Sequence, residues 1–240
     1  MPAEGSLCGR PSIPKTRPPS GRVGLSRWPE GGGSLLGRLY LVVTPRPGWS
    51  WEEVLDRTER ALGGGVEVVQ LRAKDWEARP ILELGERMLA LARRYGVPFF
   101  LNDRPDLAAL LGADGVHLGQ GDLTPEEARR FFGGRIGRST HAPEQALKAL
   151  EEGADYLSVG PVWETPTKPG RKAAGLGYVR WAAENLKEKP WFAIGGIDLE
   201  NLDQVLEAGA RRIVVVRAIL DAEDPERAAR AFRERLYGMA

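Results

Sequence analysis

From residue 39 onward the apolar positions of the chain change period repeatedly. Short runs rich in β-branched and aromatic residues give way to longer stretches in which apolar residues recur every three or four positions. The first pattern predicts strands and the second predicts helices with one buried face. Strands are predicted at 39–43, 66–72, 98–102, 115–118, 135–139, 156–161, 191–195 and 212–216. Helices are predicted to follow each of them, at 51–62, 77–95, 104–111, 124–132, 143–152, 176–187, 199–208 and 225–236. Local signals agree with this reading: Thr124 and Glu127 have the spacing of a capping box, and Gly153 and Gly209 stand just past helix ends. An internal echo, L-G-A-D-G-V at 111–116, E-G-A-D-Y-L at 152–157 and A-G-A-R-R-I at 208–213, sets a glycine shortly before three of the strands. Eight βα units predict an α/β fold, a single (β/α)8 TIM barrel over residues 38–240. A doubly wound open sheet is the alternative, because a strand count does not specify closure.

Residues 1–37 break the pattern. They hold six of the 18 prolines and eight of the 30 glycines, with no apolar period, and read as a disordered Pro/Gly/Arg-rich extension. Residues 1–38 carry a net charge of +4, which fits a basic arm, an unstructured leader or residues added by an upstream start. The whole chain has a formal charge of only +1, so it builds no field that would favour nucleic acid or an anionic membrane. A small-molecule partner is expected instead. Cys8 is the single cysteine, which excludes an intramolecular disulfide and points to the cytoplasm. With two histidines, His117 and His141, a zinc site is not expected, and carboxylates suited to Mg²⁺ are. No membrane span is expected. The pattern specifies no oligomeric state.

In such a barrel the chemistry belongs where strands run into βα loops, so polar residues at strand ends carry the functional reading. Gln70, Arg72 and Lys74 alternate at the end of the second strand and share one side. Burying the two cations requires an anion, either a phosphate or a barrel carboxylate. The third and fourth strands lead to Asn102 and Asp103 and to Gln120 and Asp122. The two aspartates suit Mg²⁺ with water and phosphate oxygens, or they serve as turn and cap residues. His117 reads as a packed, hydrogen-bonded barrel residue. Ser139, Thr140 and His141 follow the fifth strand; a hydroxyl there binds phosphate or caps a helix, and the imidazole shuttles protons or lies at the surface. The long loop at 160–175 gathers Thr165, Thr167, Lys168, Arg171 and Lys172, a composition for holding an anion or for a solvated basic loop. Gly195 and Gly196 end the seventh strand, where exposed backbone N–H groups commonly meet phosphate.

In this order the blocks Q-L-R-A-K, L-N-D-R, G-A-D-G-V-H-L-G-Q-G-D-L, I-G-R-S-T-H, V-G-P-V-W-E-T-P-T-K and A-I-G-G-I resemble the thiamine-phosphate synthase family, over roughly residues 36–237. The resemblance implies a transferase that joins an aminopyrimidine methyl diphosphate to a thiazole ethyl phosphate by a dissociative, Mg²⁺-assisted route. It implies that Gln70, Leu71, Arg72, Ala73, Lys74 and Asn102 hold the pyrimidine diphosphate and that Asp103 and Asp122 bind one Mg²⁺. Ser139 and Lys168 would complete the diphosphate site, with Arg72, Lys74, Ser139 and Lys168 as the catalytic set. Thr165, Pro166, Thr167, Gly196, Val216 and Arg217 would contact the thiazole phosphate. Two departures stand out. The family usually has serine where this chain has Arg217, and V-T-D where the first strand ends in V-V-T-P-R. A thiazole tautomerase-like relative and a non-catalytic phosphate-binding barrel are the competing functions.

Overall fold

The computed structural model describes residues 36–165, 170 and 172–238. The predicted extension therefore lies outside the described residues, apart from Leu36 and Gly37. Eight parallel strands close into one barrel in sequence order: β1 (Leu39–Val43), β2 (Val68–Leu71), β3 (Phe99–Asn102), β4 (Gly115–Leu118), β5 (Arg135–Thr140), β6 (Tyr156–Val159), β7 (Trp191–Ile194) and β8 (Ile213–Val215). Closure is made by β1 pairing with β8, with Leu39 opposite Ile213. The open sheet is thereby excluded. Outer helices follow the strands: α1 (Trp51–Gly63), α2 (Ala78–Arg94), α3 (Pro105–Leu111), α4 (Pro125–Arg129), α5 (Pro143–Glu151), α6 (Gly175–Asn185) and α7 (Leu202–Glu207). After β8 come a short α8 (Arg217–Leu220) and the long α9 (Pro225–Gly238).

Period-two alternation divides the strand residues into two apolar layers. Leu39, Leu41, Val69, Leu71, Leu101 and Val116 point outward and pack against the apolar faces of the helices. Tyr40, Val42, Val68, Phe100, Tyr156, Phe192 and Val214 point inward and fill the barrel, with Leu36 packed among them. Leu36, read from sequence as part of the extension, is thus core, with 2% of its surface exposed. The interior is dominated by aromatic rings that meet edge to face, as at Tyr40 and Phe192, whose centroids are 5.3 Å apart at 80°.

Rings of this size fit only because neighbouring inward positions are glycine. A Cβ on Gly137 would meet the Tyr156 ring at 2.1 Å, and one on Gly115 would meet Phe100 at 2.7 Å. Gly137→Ala is therefore expected to destabilise the barrel by about 3 kcal/mol through overpacking. A thermal melt should show a fall of roughly 6–12 °C for a chain of this size. An unchanged melting temperature would contradict the interior packing.

Element boundaries moved where side chains bond the backbone. The capping box forms, with the Thr124 hydroxyl accepting from Glu127 N at 3.2 Å and the Glu127 carboxylate accepting from Thr124 N at 2.8 Å. The helix it starts is shorter than predicted: past Arg129 the amides of Arg130 and Phe131 bond to carbonyls three residues back, at 3.2 Å each, and the α-helical run ends. The helix predicted from 199 begins at Leu202 instead. Asp198 Oδ1 accepts from the amides of Glu200 and Asn201 at 2.9 and 3.0 Å, and this turn replaces the first helical turn.

Candidate active site

At the C-terminal rim a cavity of about 450 Å³ opens between β5 and α8. Its walls bring together Ser139, Ser158, Thr165, Gly196, Val216 and Arg217. Gly195 and Gly196 take φ of 106° and 67°, the left-handed region that side chains rarely enter. A Cβ on Gly195 would in addition strike Pro161 at 2.4 Å, so glycine is needed there both for conformation and for space. The pair lets the β6–α6 loop lie on the end of β7, with Val162 N and Trp163 N donating to the carbonyls of Ile194 and Gly195 at 2.8 and 3.1 Å. Opposite stands the first turn of α8, whose leading N–H groups have no intrahelical partner. Sequence reading did not predict this helix, since four residues are too few to show a period.

Arg217 lines the cavity, and its side chain is held at the rim. Asp221 accepts from Arg217 Nε at 3.2 Å and takes a bidentate pair from Arg46 Nε and Nη2 at 3.0 and 2.9 Å. Two guanidinium groups thus share one carboxylate at this edge of the cavity. Arg46 follows the first strand in the V-V-T-P-R segment, so that segment and Arg217 meet in space at Asp221.

Beside the cavity, on β2–β4, lies a second polar cluster. Asp103 has φ of 62°, the left-handed region, and is the one non-glycine with positive φ among the described residues. Its amide donates to the His117 carbonyl at 2.8 Å, continuing the β3–β4 ladder before the chain turns. The turn sets its carboxyl against Asp122, which accepts from Gly119 N at 2.6 Å. Burial, followed by the hydrogen bond and the charge of Asp122, pushes the Asp103 carboxyl up to about 6. Lys74 and Arg72 pull the other way with less effect; Lys74 Nζ is 3.9 Å from Asp103 Oδ2. Such a pair shares a proton unless a cation lies between its members. Asp103 and Asp122 are the side chains here that could hold a divalent ion. Among the described residues no cluster of three or more His, Cys, Asp or Glu side chains is placed for a metal.

Of the residues singled out in the sequence, Ser139, Thr165, Gly196, Val216 and Arg217 share the cavity, while Arg72, Lys74, Asp103 and Asp122 form the adjoining cluster. Asn102 ends β3 beside them, opposite His117. Gln70 sits deeper than expected, 3% exposed, with Nε2 donating to Tyr40 Oη at 2.6 Å. The side chains of Leu71 and Ala73 face the helices within the outer core, as alternation with Gln70, Arg72 and Lys74 requires. Pro166, Thr167, Lys168 and Arg171 lie outside the described residues. His141 borders the cavity, its Nδ1 donating to the Gly160 carbonyl at 2.6 Å. Sequence reading overlooked Tyr40, Tyr156, Ser158 and Asp221. The first three occupy inward positions of their strands, so polar atoms at period two in apolar runs were the available signal.

Fold and site together define a (β/α)8 barrel protein whose candidate site lies on the C-terminal rim. The sequence profile of the family described as "Thiamine monophosphate synthase" matches residues 39–219. A "Thiamine-phosphate synthase" of Thermus thermophilus is 90% identical over 206 residues, 86% of this chain and 100% of the relative. Another, of Deinococcus radiodurans, is 58% identical over 84% of this chain and 74% of the relative. Among solved structures, "Thiamine phosphate pyrophosphorylase from Pyrococcus furiosus" superposes with a TM-score of 0.76 at 34% identity, covering 85% of this chain and 97% of that one. The chain belongs to the thiamine monophosphate synthase family.

Proposed function

We infer that the protein is a transferase that joins 4-amino-2-methyl-5-pyrimidinylmethyl diphosphate to thiazole ethyl phosphate, forming thiamine phosphate and releasing diphosphate. The observation that carries this reading is the two-part rim: a glycine-lined cavity next to a carboxylate pair flanked by Arg72 and Lys74. One substrate brings a diphosphate and the other a monophosphate, which matches two adjacent anion-holding regions. Family membership supplies the identity of the substrates.

In the reaction the C–O bond between the pyrimidine methylene and the diphosphate breaks, the electron pair leaves with diphosphate, and the thiazole nitrogen forms the new C–N bond. Charge therefore grows on the leaving oxygen. Arg72 and Lys74 would meet it as charge-assisted donors, and Lys168 by family resemblance would join them. Ser139 offers a hydroxyl from the cavity wall. No protein nucleophile is needed, and holding the two substrates in line supplies much of the rate. The donor set of Asp103 and Asp122 suits Mg²⁺, because two carboxylates brought together at the rim attract a hard divalent cation. When bound, Mg²⁺ supplies charge neutralisation at the diphosphate oxygens.

The thiazole phosphate is assigned to Gly196, Val216 and Arg217, with Thr165 and, by resemblance, Pro166 and Thr167 closing over it. Arg217→Ala is expected to raise KM for thiazole phosphate about tenfold with kcat little changed, the signature of lost uniform binding. Steady-state kinetics with the pyrimidine substrate saturating would show it; an unchanged KM would mean that Arg217 stays on Asp221.

A second reading, thiazole isomerisation, is favoured by one observation, the imidazole of His141 at the cavity. Incubating the purified protein with Mg²⁺ and both substrates distinguishes the two. Thiamine phosphate and diphosphate should appear in equal amounts, whereas isomerised thiazole alone would favour the second reading. No helix among the described residues is long and apolar enough to cross a membrane, and we propose that the reaction takes place in the cytoplasm.

A further inference from the structure

Below the rim, a line of buried polar groups crosses the aromatic interior, and three of its members, Tyr40, Tyr156 and His117, have no role in the account above. Gln70 Nε2 donates to Tyr40 Oη at 2.6 Å, and Tyr40 and Tyr156 share a hydrogen bond of 3.0 Å between their hydroxyls. Tyr156 Oη is 2.9 Å from His117 Nδ1, and His117 Nε2 is 2.9 Å from Ser139 Oγ. All five residues are buried, His117 being 7% exposed and Tyr156 fully enclosed. Polar groups at these positions are costly unless every bond is made, and phenylalanine and leucine would fill the space as well.

Each tyrosine has one proton to give. Tyr40 receives from Gln70, so its own proton is directed to Tyr156 Oη. The Tyr156 proton is then directed to His117 Nδ1. An imidazole that accepts at Nδ1 carries its proton on Nε2, which points at Ser139 Oγ. Ser139 therefore receives a hydrogen bond from behind, and its own proton is left for the cavity it lines. Ser158 Oγ lies 3.5 Å from the same imidazole nitrogen and lines the same cavity. In the opposite tautomer Ser139 would give its proton to the imidazole and turn lone pairs toward an incoming anion, which repels it.

We propose that Gln70, Tyr40, Tyr156 and His117 form a directional hydrogen-bond relay that holds His117 as the Nε2–H tautomer and so keeps Ser139 a donor toward a phosphate or diphosphate oxygen. Tyr156 and His117 are positioning residues that act through Ser139. The second half of the statement rests on the reading of the site under Proposed function; the tautomer does not.

The chain has two histidines, so ¹⁵N-histidine labelling with long-range ¹H–¹⁵N correlation reads His117 directly, a His141→Asn sample assigning the pair. In the wild-type protein without substrates, a protonated Nε2 and an unprotonated Nδ1 are expected. The Nδ1–H tautomer, or an imidazolium at pH 7.5, would overturn the relay whatever the protein catalyses. The link to Ser139 is tested by a double-mutant cycle. Tyr156→Phe should lower kcat about tenfold with KM for thiazole phosphate nearly unchanged, and should cause no further loss in a Ser139→Ala background. Additive losses, or full kcat in Tyr156→Phe, would overturn the link while leaving the tautomer result standing. Should Tyr156→Phe fail to fold, Tyr40→Phe, which removes the hydroxyl that passes the line on from Gln70 to Tyr156, is read in the same cycle with the same expectations.

Discussion

Asp103→Asn is expected to lower turnover at least about a hundredfold while making the metal-free protein more stable at pH 7.5. Both halves follow from the carboxylate pair. The folded-state carboxyl of Asp103 is raised to about 6, above the value of about 3.9 for an unfolded chain. A raised carboxyl binds its proton more tightly when folded. Its stabilising contribution is therefore complete below pH 4 and is lost as the pH rises through about 6. At pH 7.5 the folded protein carries two facing carboxylates, at a cost of order 1–3 kcal/mol. Asparagine tolerates the left-handed backbone that Asp103 occupies, so the substitution removes the charge without new strain. Melting curves with a chelator present should show the variant a few degrees above wild type at pH 7.5, and the gap should narrow to about a third of that near pH 4.5. A gap of the same size at both pH values would show that the pair is not the cause.

The second large effect is expected at Arg72. Its amide donates to the Val43 carbonyl at 2.8 Å, one residue beyond the end of β2, so the strand continues to fix the direction in which the side chain leaves. Half-buried next to Asp103, the guanidinium is proposed to meet a leaving group that carries about three negative charges. Arg72→Ala is expected to reduce kcat/KM by about 10²–10³, the range seen when one preorganised donor to developing charge is lost. Arg72→Lys should restore only a minor part, because an ammonium cannot make the paired, planar contacts of a guanidinium. Full recovery by lysine would mean that Arg72 contributes charge alone.

Much of this architecture was legible from the period of the apolar residues. All eight strands were found, because the run at each contrasts with the helical spacing around it. Closure was not legible: it depends on the pairing of Leu39 with Ile213, which no local pattern encodes. The rim could be assigned from polar residues at strand ends, and Ser139, Gly196 and Arg217 do meet in one cavity. What sequence could not resolve was depth. Gln70, Arg72 and Lys74 share a side, as alternation requires, yet Gln70 bonds Tyr40 inside the barrel while Lys74 reaches solvent. Nor could it show the bidentate pair of Arg46 and Asp221, separated by 175 residues, or the aromatic rings that make Gly115 and Gly137 necessary. These depend on three-dimensional neighbours that lie far apart along the chain.

The central claim is that the rim holds two different anions on two different sides. Isothermal titration of wild type, Asp103→Asn and Arg217→Ala tests it, each protein being titrated separately with Mg²⁺-diphosphate and with thiazole phosphate. Asp103→Asn should lose diphosphate binding and keep thiazole phosphate affinity, and Arg217→Ala should do the reverse. If both substitutions weakened the same ligand and spared the other, the division of the rim would be contradicted.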